Sequence, residues 1–143
     1  MQRKRFLAKS FGDNQDGTRA GIVNFVQNLP PDSQGVIVVP SLGNVSDTIL
    51  VDVLGKDLSA QLIKNREIAL DGGRRIYLCS AATLKNFQRA TSYLALWASE
   101  STIDAIESLL NWTTATVVTW IPKDAERWID THAIDVIYDD GKG

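Results

Sequence analysis

Four short segments hold the residue types best suited to grip an anion: PSLGNVSD (40–47), CSAATLK (79–85), WASESTID (97–104) and WIPKDAE (120–126). Ser41, Gly43, Asn44, Ser46 and Asp47 belong to the first, Ser80 and Thr83 to the second, Ser99 and Ser101 to the third, and Lys123 to the fourth. Each segment runs into a predicted helix, whose free N–H groups and dipole favour a phosphate or carboxylate. The same residue types are also ordinary helix caps, so every one of them carries both readings. The two strong nucleotide signatures fail at Gly43. A dinucleotide loop needs G-x-G-x-x-G, and a phosphate loop of the form G-x-x-x-x-G-K-[ST] needs a lysine that does not come before Lys56.

Other reactive groups are scattered. Cys79 ends an apolar run and precedes a helix-starting SAAT, which suits either a thiol activated by a helix N-terminus or a small core residue. Lys85, Glu100, Lys123 and Asp124 lie in or just after the same loops and are acid, base or clamp candidates, or else solvated charges. His132, just ahead of the last predicted strand, falls at the opposite side of the sheet and reads as a helix-end residue. Asp139 and Asp140 in YDD suggest a hydrated Mg²⁺, yet adjacent strand residues face opposite sides and the chain end reads as frayed. GDNQDG (12–17) is read as a turn. Its Asp13 and Asp16 do not have the spacing of a calcium loop.

The segment SLGNVSD resembles the phosphate loop of the flavodoxin family, in which a Ser/Thr-rich turn with Gly-Asn follows the first strand. Ser41, Gly43, Asn44 and Ser46 match it in type and order over about seven residues. The resemblance implies FMN as ligand, with Trp97 and Trp120 as an aromatic platform at the ends of neighbouring strands. The simpler reading is a β–α turn with Ser46 as N-cap and Asp47 in the first helical turn.

The elements that must position these loops are legible. Short apolar runs at 35–40, 74–80, 92–99, 114–122 and 133–140 lack polar alternation and so read as strands buried on both faces. Helical spacing falls between them: Ile49, Leu50, Val53 and Leu54; Leu58, Leu62 and Ile63; Ile103, Ile106, Leu109 and Leu110, with Ser101 and Asp104 as a capping box; and Trp128 with Ile129. Asp-Gly-Gly at 71–73 predicts a hairpin that sets a short antiparallel strand, 67–70, beside the second parallel one. Ile22, Phe25, Val26 and Leu29 predict a helix ahead of the first core strand.

Strand–helix alternation predicts an α/β fold: a Rossmann-like, open, doubly wound, mainly parallel five-stranded sheet with an N-terminal helix and a hairpin strand. Residues 1–143 are expected to form a single domain, with 1–16 as a flexible or peripheral segment. Ligands of such a sheet bind at the carboxyl ends of its strands.

Bulk properties narrow the classes. The chain is 44% hydrophobic and 22% charged, with a net charge of −2, which argues against a nucleic-acid-coating surface despite the basic MQRKR start. One cysteine and one histidine exclude a disulfide framework and a His-pair zinc motif, and no metal is expected. No apolar run reaches the ~20 residues of a membrane span, so cytoplasm is the expected compartment. Of the tryptophans, Trp97 and Trp120 are expected in the core, while Trp112 and Trp128 are placed between core and protein interface.

The leading expectation is a non-catalytic module binding a protein partner or an anionic, nucleotide-like molecule at the carboxyl ends. The alternative is an enzyme on a phosphorylated or nucleotide substrate, using Ser41, Asn44, Asp47 and either Lys123 or Asp124. A flavin electron carrier is the third reading.

Overall fold

The computed structural model describes residues 3–12, 14–42 and 47–141. Among them seven strands form one sheet: β1 Lys4–Lys9, β2 Gln34–Val39, β3 Glu67–Leu70, β4 Arg74–Ser80, β5 Ser92–Ala98, β6 Thr114–Thr119 and β7 Asp135–Asp139. Their order is β3-β4-β2-β5-β6-β1-β7. The β3–β4 pair is antiparallel; the paired strands from β4 to β7 run parallel. The helices are α1 Gln15–Gln27, α2 Asp47–Leu54, α3 Lys56–Asn65, α4 Glu100–Glu107 and α5 Glu126–Thr131. Short 3₁₀ turns occupy Asp71–Gly73, Ala81–Asn86 and Pro122–Ala125.

The sheet therefore has seven strands where five core strands and a hairpin strand were expected. The addition is β1, in the segment read as peripheral. Its Leu7 and Ala8 are fully buried, and it lies between β6 and β7. Its basic ends are held inside the fold. Arg5 bonds Glu107 through Nε at 2.6 Å, and the Arg3 guanidinium stacks 4.0 Å from the Trp112 ring centre.

Alternating strand residues build a core on each face. On one face Ile37, Leu78, Leu94 and Val118 meet Ile22 and Phe25 of α1, Leu50 of α2 and Leu62 of α3. On the other, Val36, Val38, Tyr93 and Val117 meet Ile103 and Ile106 of α4, with Trp112 and Trp128. Removing any of the large aliphatic residues to alanine costs about 2–5 kcal/mol. α1 lies close on β6 because Gly21 has no side chain: a Cβ there would sit 2.3 Å from Val118 Cγ2.

Trp112 and Trp128 are 2% and 5% exposed and pack into the core on the α4 face. Their indole N–H groups are satisfied internally, by Ile106 O at 2.8 Å and Glu107 Oε2 at 2.6 Å. Trp120, expected in the core, is instead 47% exposed, because β6 ends at Thr119 and the next residue has already left the sheet.

Candidate functional site at the carboxyl edge

Parallel pairing brings the loops after β4, β2, β5, β6, β1 and β7 along one edge of the sheet. The chemistry available there divides by what each polar group already holds.

Ser80 and Thr83 hold each other. Thr83 Oγ1 accepts from the Ser80 N–H at 3.2 Å and lies 3.2 Å from Ser80 Oγ, closing a capping box on the 3₁₀ turn. Ser99 is the N-cap of α4, accepting from the Thr102 N–H at 3.4 Å and bonded to Ser101 Oγ at 2.9 Å. The cap is thus Ser99 rather than the expected Ser101–Asp104 box. Asp104 turns instead to Arg127. Lys123 is exposed in the 3₁₀ turn before α5, and Ser41 is exposed after β2. Gly43, Asn44 and Ser46 lie outside the described residues, and Asp47 opens α2. Three of the four residues that match the flavodoxin-like loop, Gly43, Asn44 and Ser46, therefore fall outside them. Asp124 lines a cavity of about 430 Å³ between α4 and α5, together with Glu100, Glu107, Arg127 and His132, while Lys123 is not part of that lining.

Cys79 is buried, and burial pushes its thiol up to about 12, with the hydrogen bond to Thr83 pulling the other way. That is the opposite of an activated nucleophile. His132 caps α5 with Nδ1 2.9 Å from Thr131 Oγ1 and Nε2 3.7 Å from Glu107. Burial alone would raise the Glu107 carboxyl. Bonds from Arg5 and Trp128, and the charges of Arg5 and His132, outweigh it and hold Glu107 below its ordinary value. Among the described residues no three His, Cys, Asp or Glu side chains converge as metal ligands.

One turn at this edge was passed over in the sequence. Gly12, in the turn after β1, and Gly17, in the first turn of α1, have four residues between them and are followed by Thr18 and Arg19: G-x-x-x-x-G across a strand-to-helix junction. This is the spacing of a phosphate loop, with Thr18 where its lysine belongs. The spacing is legible in GDNQDGTR (12–19), where the sequence reading gives only a turn.

The geometry of this turn is internally satisfied. Asn14 is the N-cap of α1 and its Oδ1 accepts from the Gly17 N–H at 2.9 Å. The helix has already begun at Gln15, so Gly17 lies within its first turns, where a Cβ would sit 2.9 Å from Ser10 Cβ. The Phe11 N–H donates to Asp140 Oδ2 at 2.7 Å, and Tyr138 OH donates to Asn14 Oδ1 at 3.3 Å. Ser10 and Thr119 exchange hydrogen bonds, with the Ser10 N–H 3.1 Å from Thr119 Oγ1. Arg19 faces Asp16 and Asp52 at 3.1 and 2.8 Å. A phosphate entering here would compete with the Asp140 carboxylate for the same donor and be repelled by its charge.

Beside this turn the surface is apolar. Phe11, Trp120 and Ile121 are exposed, and the Gly12 N–H donates to Trp120 O at 2.7 Å, joining the two strand ends that carry them. Trp97, half-buried, has a left-handed φ of 54° where the β5–β6 register shifts, and its Nε1–H donates to Thr18 Oγ1 at 3.2 Å. A non-glycine residue held there stores on the order of 1–2 kcal/mol.

No family model and no curated protein matches the chain. Two solved structures are similar to it. The Thermus phage P74-26 large terminase ATPase domain shares 19% identity at a TM-score of 0.43, with 82% of this chain and 59% of that one covered. A point mutant of the same domain gives 16% identity and a TM-score of 0.39 over the same shares. This chain thus spans under two thirds of their length, and at such identity and fit no residue role or activity transfers. What is shown is an α/β fold with a mostly parallel sheet of seven strands and helices on both faces. No helix among the described residues is long and apolar enough to cross a membrane.

Proposed function

We propose that this chain is a Rossmann-like, non-catalytic binding module whose carboxyl edge takes a protein partner through Phe11, Trp120 and Ile121. The observation that carries this reading is the β1–α1 turn. It has the spacing of a phosphate loop but no lysine, and the Phe11 N–H that faces outward is held by Asp140. No set of acid, base and nucleophile is assembled among the described residues of the edge. Exposed aromatics are the side chains most enriched in the energetic centres of protein interfaces.

The test is a pair of chains, wild type and a Phe11→Ser/Trp120→Ser double variant, used as baits for cross-linked partners under native conditions. A partner held by the wild type and lost from the folded double variant supports the reading. Equal capture by both overturns it.

A second reading rests on the Gly12–Gly17–Thr18 spacing itself, which supports a phosphate-bearing ligand, or an enzyme acting on one. It predicts thermal stabilisation by nucleoside triphosphates, about 2.7 kcal/mol at a hundredfold excess over Kd, lost in Thr18→Ala. Absence of any shift in the wild type removes it.

A further inference from the structure

On the face of the sheet that carries α4, the strands β4 and β2 are not roofed by a helix. The crossover from β4 to β5 spans residues 81–91 and contains only the 3₁₀ turn Ala81–Asn86, whereas parallel crossovers ordinarily carry a helix. A cavity of about 430 Å³ results, within the range of small-molecule sites. Its walls combine three kinds of chemistry. Tyr77 and Phe87 present two aromatic rings, with centroids 5.8 Å apart and planes tilted by 43°. Lys85 and Arg89 supply two positive charges, and no acidic side chain lines the cavity. Gln34 and Gln88 supply amides.

Arg89 stands apart from the other arginines. Every other arginine among the described residues holds a carboxylate or a carbonyl oxygen. Arg89 and Lys85 hold neither with their cationic heads among the described residues, in a chain whose net charge is −2. Burial of other arginine donors in internal bonds makes an unpaired one beside a cavity a group with binding capacity to spare.

The frame that presents these groups is fixed from beneath. Buried Tyr93 donates through its hydroxyl to Phe87 O and accepts from the Ala90 N–H at 3.3 Å. Phe87 N–H donates to Leu84 O at 2.9 Å, and Thr91 N–H to Gln34 O at 2.9 Å, tying the segment to the start of β2. Segment 87–91 is thereby held in place before any ligand arrives, which lowers the ordering cost of binding.

The geometry points to a binding site for a nucleoside monophosphate group, its base against Tyr77 and Phe87 and its phosphate on Arg89 and Lys85. Base–aromatic stacking and a forked guanidinium–phosphate contact are the two interactions that such a ligand rewards. The amide of Gln34 lines the same wall, while Gln88 Nε2 donates to Lys85 O at 2.7 Å and so helps to hold the segment. The group comes either as a free nucleotide or as the 5′-phosphorylated end of a single strand. This site lies apart from the carboxyl edge and does not depend on the partner surface there.

The experiment is calorimetric titration of the full chain with AMP, GMP, CMP and UMP, with a 5′-phosphorylated tetraribonucleotide, and with inorganic phosphate alone. Saturable binding of a mononucleotide is expected, weakened about tenfold or more by Arg89→Ala, which removes the charged hydrogen bond, and by Phe87→Leu, which removes a stacking ring. Arg75→Ala, whose guanidinium is paired with Glu67, is expected to bind as the wild type does. Tighter binding of the tetranucleotide assigns the source as a strand end, and equal or weaker binding assigns it as free nucleotide. Thermal melts confirm that each variant folds. Absence of binding by the wild type overturns the proposal. So does affinity unchanged in both folded variants, or inorganic phosphate binding as tightly as any nucleotide.

Discussion

The β1–α1 turn and the β4–β5 crossover differ in where their polar groups find partners. The turn has glycines at phosphate-loop spacing, yet Asn14, Tyr138 and Asp140 answer its donors from within the chain. The crossover has no recognisable motif, yet the cationic heads of Lys85 and Arg89 have no partner among the described residues and stand beside two aromatic rings. Spacing inherited by a loop is weak ground for a ligand when the groups that would touch it are already bonded. Unanswered charge beside a preformed cavity is better ground, because a ligand there need not break an internal ion pair.

This contrast can be broken by substitution. The largest effect is expected from Gly17→Val. In an open phosphate loop, added carbons would spoil ligand binding and leave the fold alone. Here they enter the contact with Ser10 and Tyr138, so stability should fall by up to about 3 kcal/mol, roughly ten degrees in Tm, read by calorimetry or dichroism. Tyr93→Phe comes next. It leaves Phe87 O and the Ala90 N–H without their buried partner, at a cost of about 1–2 kcal/mol. Faster hydrogen exchange over 87–91 should accompany it, with the β1–α1 turn unchanged.

Asn14→Ala removes the α1 cap and should cost about 1 kcal/mol, measured by urea unfolding, whether or not nucleotide is present. The smallest expected effect concerns pH. Glu107 is held below its ordinary value in the folded state, so its contribution is whole above the usual carboxylate range. It is lost as pH falls through that lowered value. Glu107→Gln should therefore flatten the acid limb of Tm against pH and lower Tm near neutrality, where the wild-type carboxylate contributes in full.

Much of the fold was legible. The strand β3 and its hairpin followed from Asp-Gly-Gly, and β2, β4, β5 and β6 followed from apolar runs without alternation. The run at 133–140, read the same way as buried on both faces, is instead the edge strand β7, with no buried residue, because only β1 pairs with it. β1 was not legible, because RKRFLAK shows only Leu7 and Ala8 as fully buried residues and its basic flanks resemble a frayed end. What holds those flanks, Glu107 and Trp112, is about a hundred residues away. The helix caps were nearly legible: hydroxyls at 80, 83, 99 and 101 were singled out as anion ligands, and the structure has them bonded to their own turns. Trp112 and Trp128 were placed between core and interface because a tryptophan in a connection or on a short helix has no sequence mark of burial; both pack into the core. The cavity could not be read in advance. It exists because a crossover lacks a helix and because Tyr93, in a strand, pins the loop before it.

The most direct test is to record amide spectra of isotopically labelled protein during titration with AMP. The account predicts shifts confined to residues 34–36, 77 and 85–91, with residues 10–18 unmoved. Shifts centred on Phe11, Gly12, Gly17 and Thr18 instead would contradict it and return the phosphate to the β1–α1 turn.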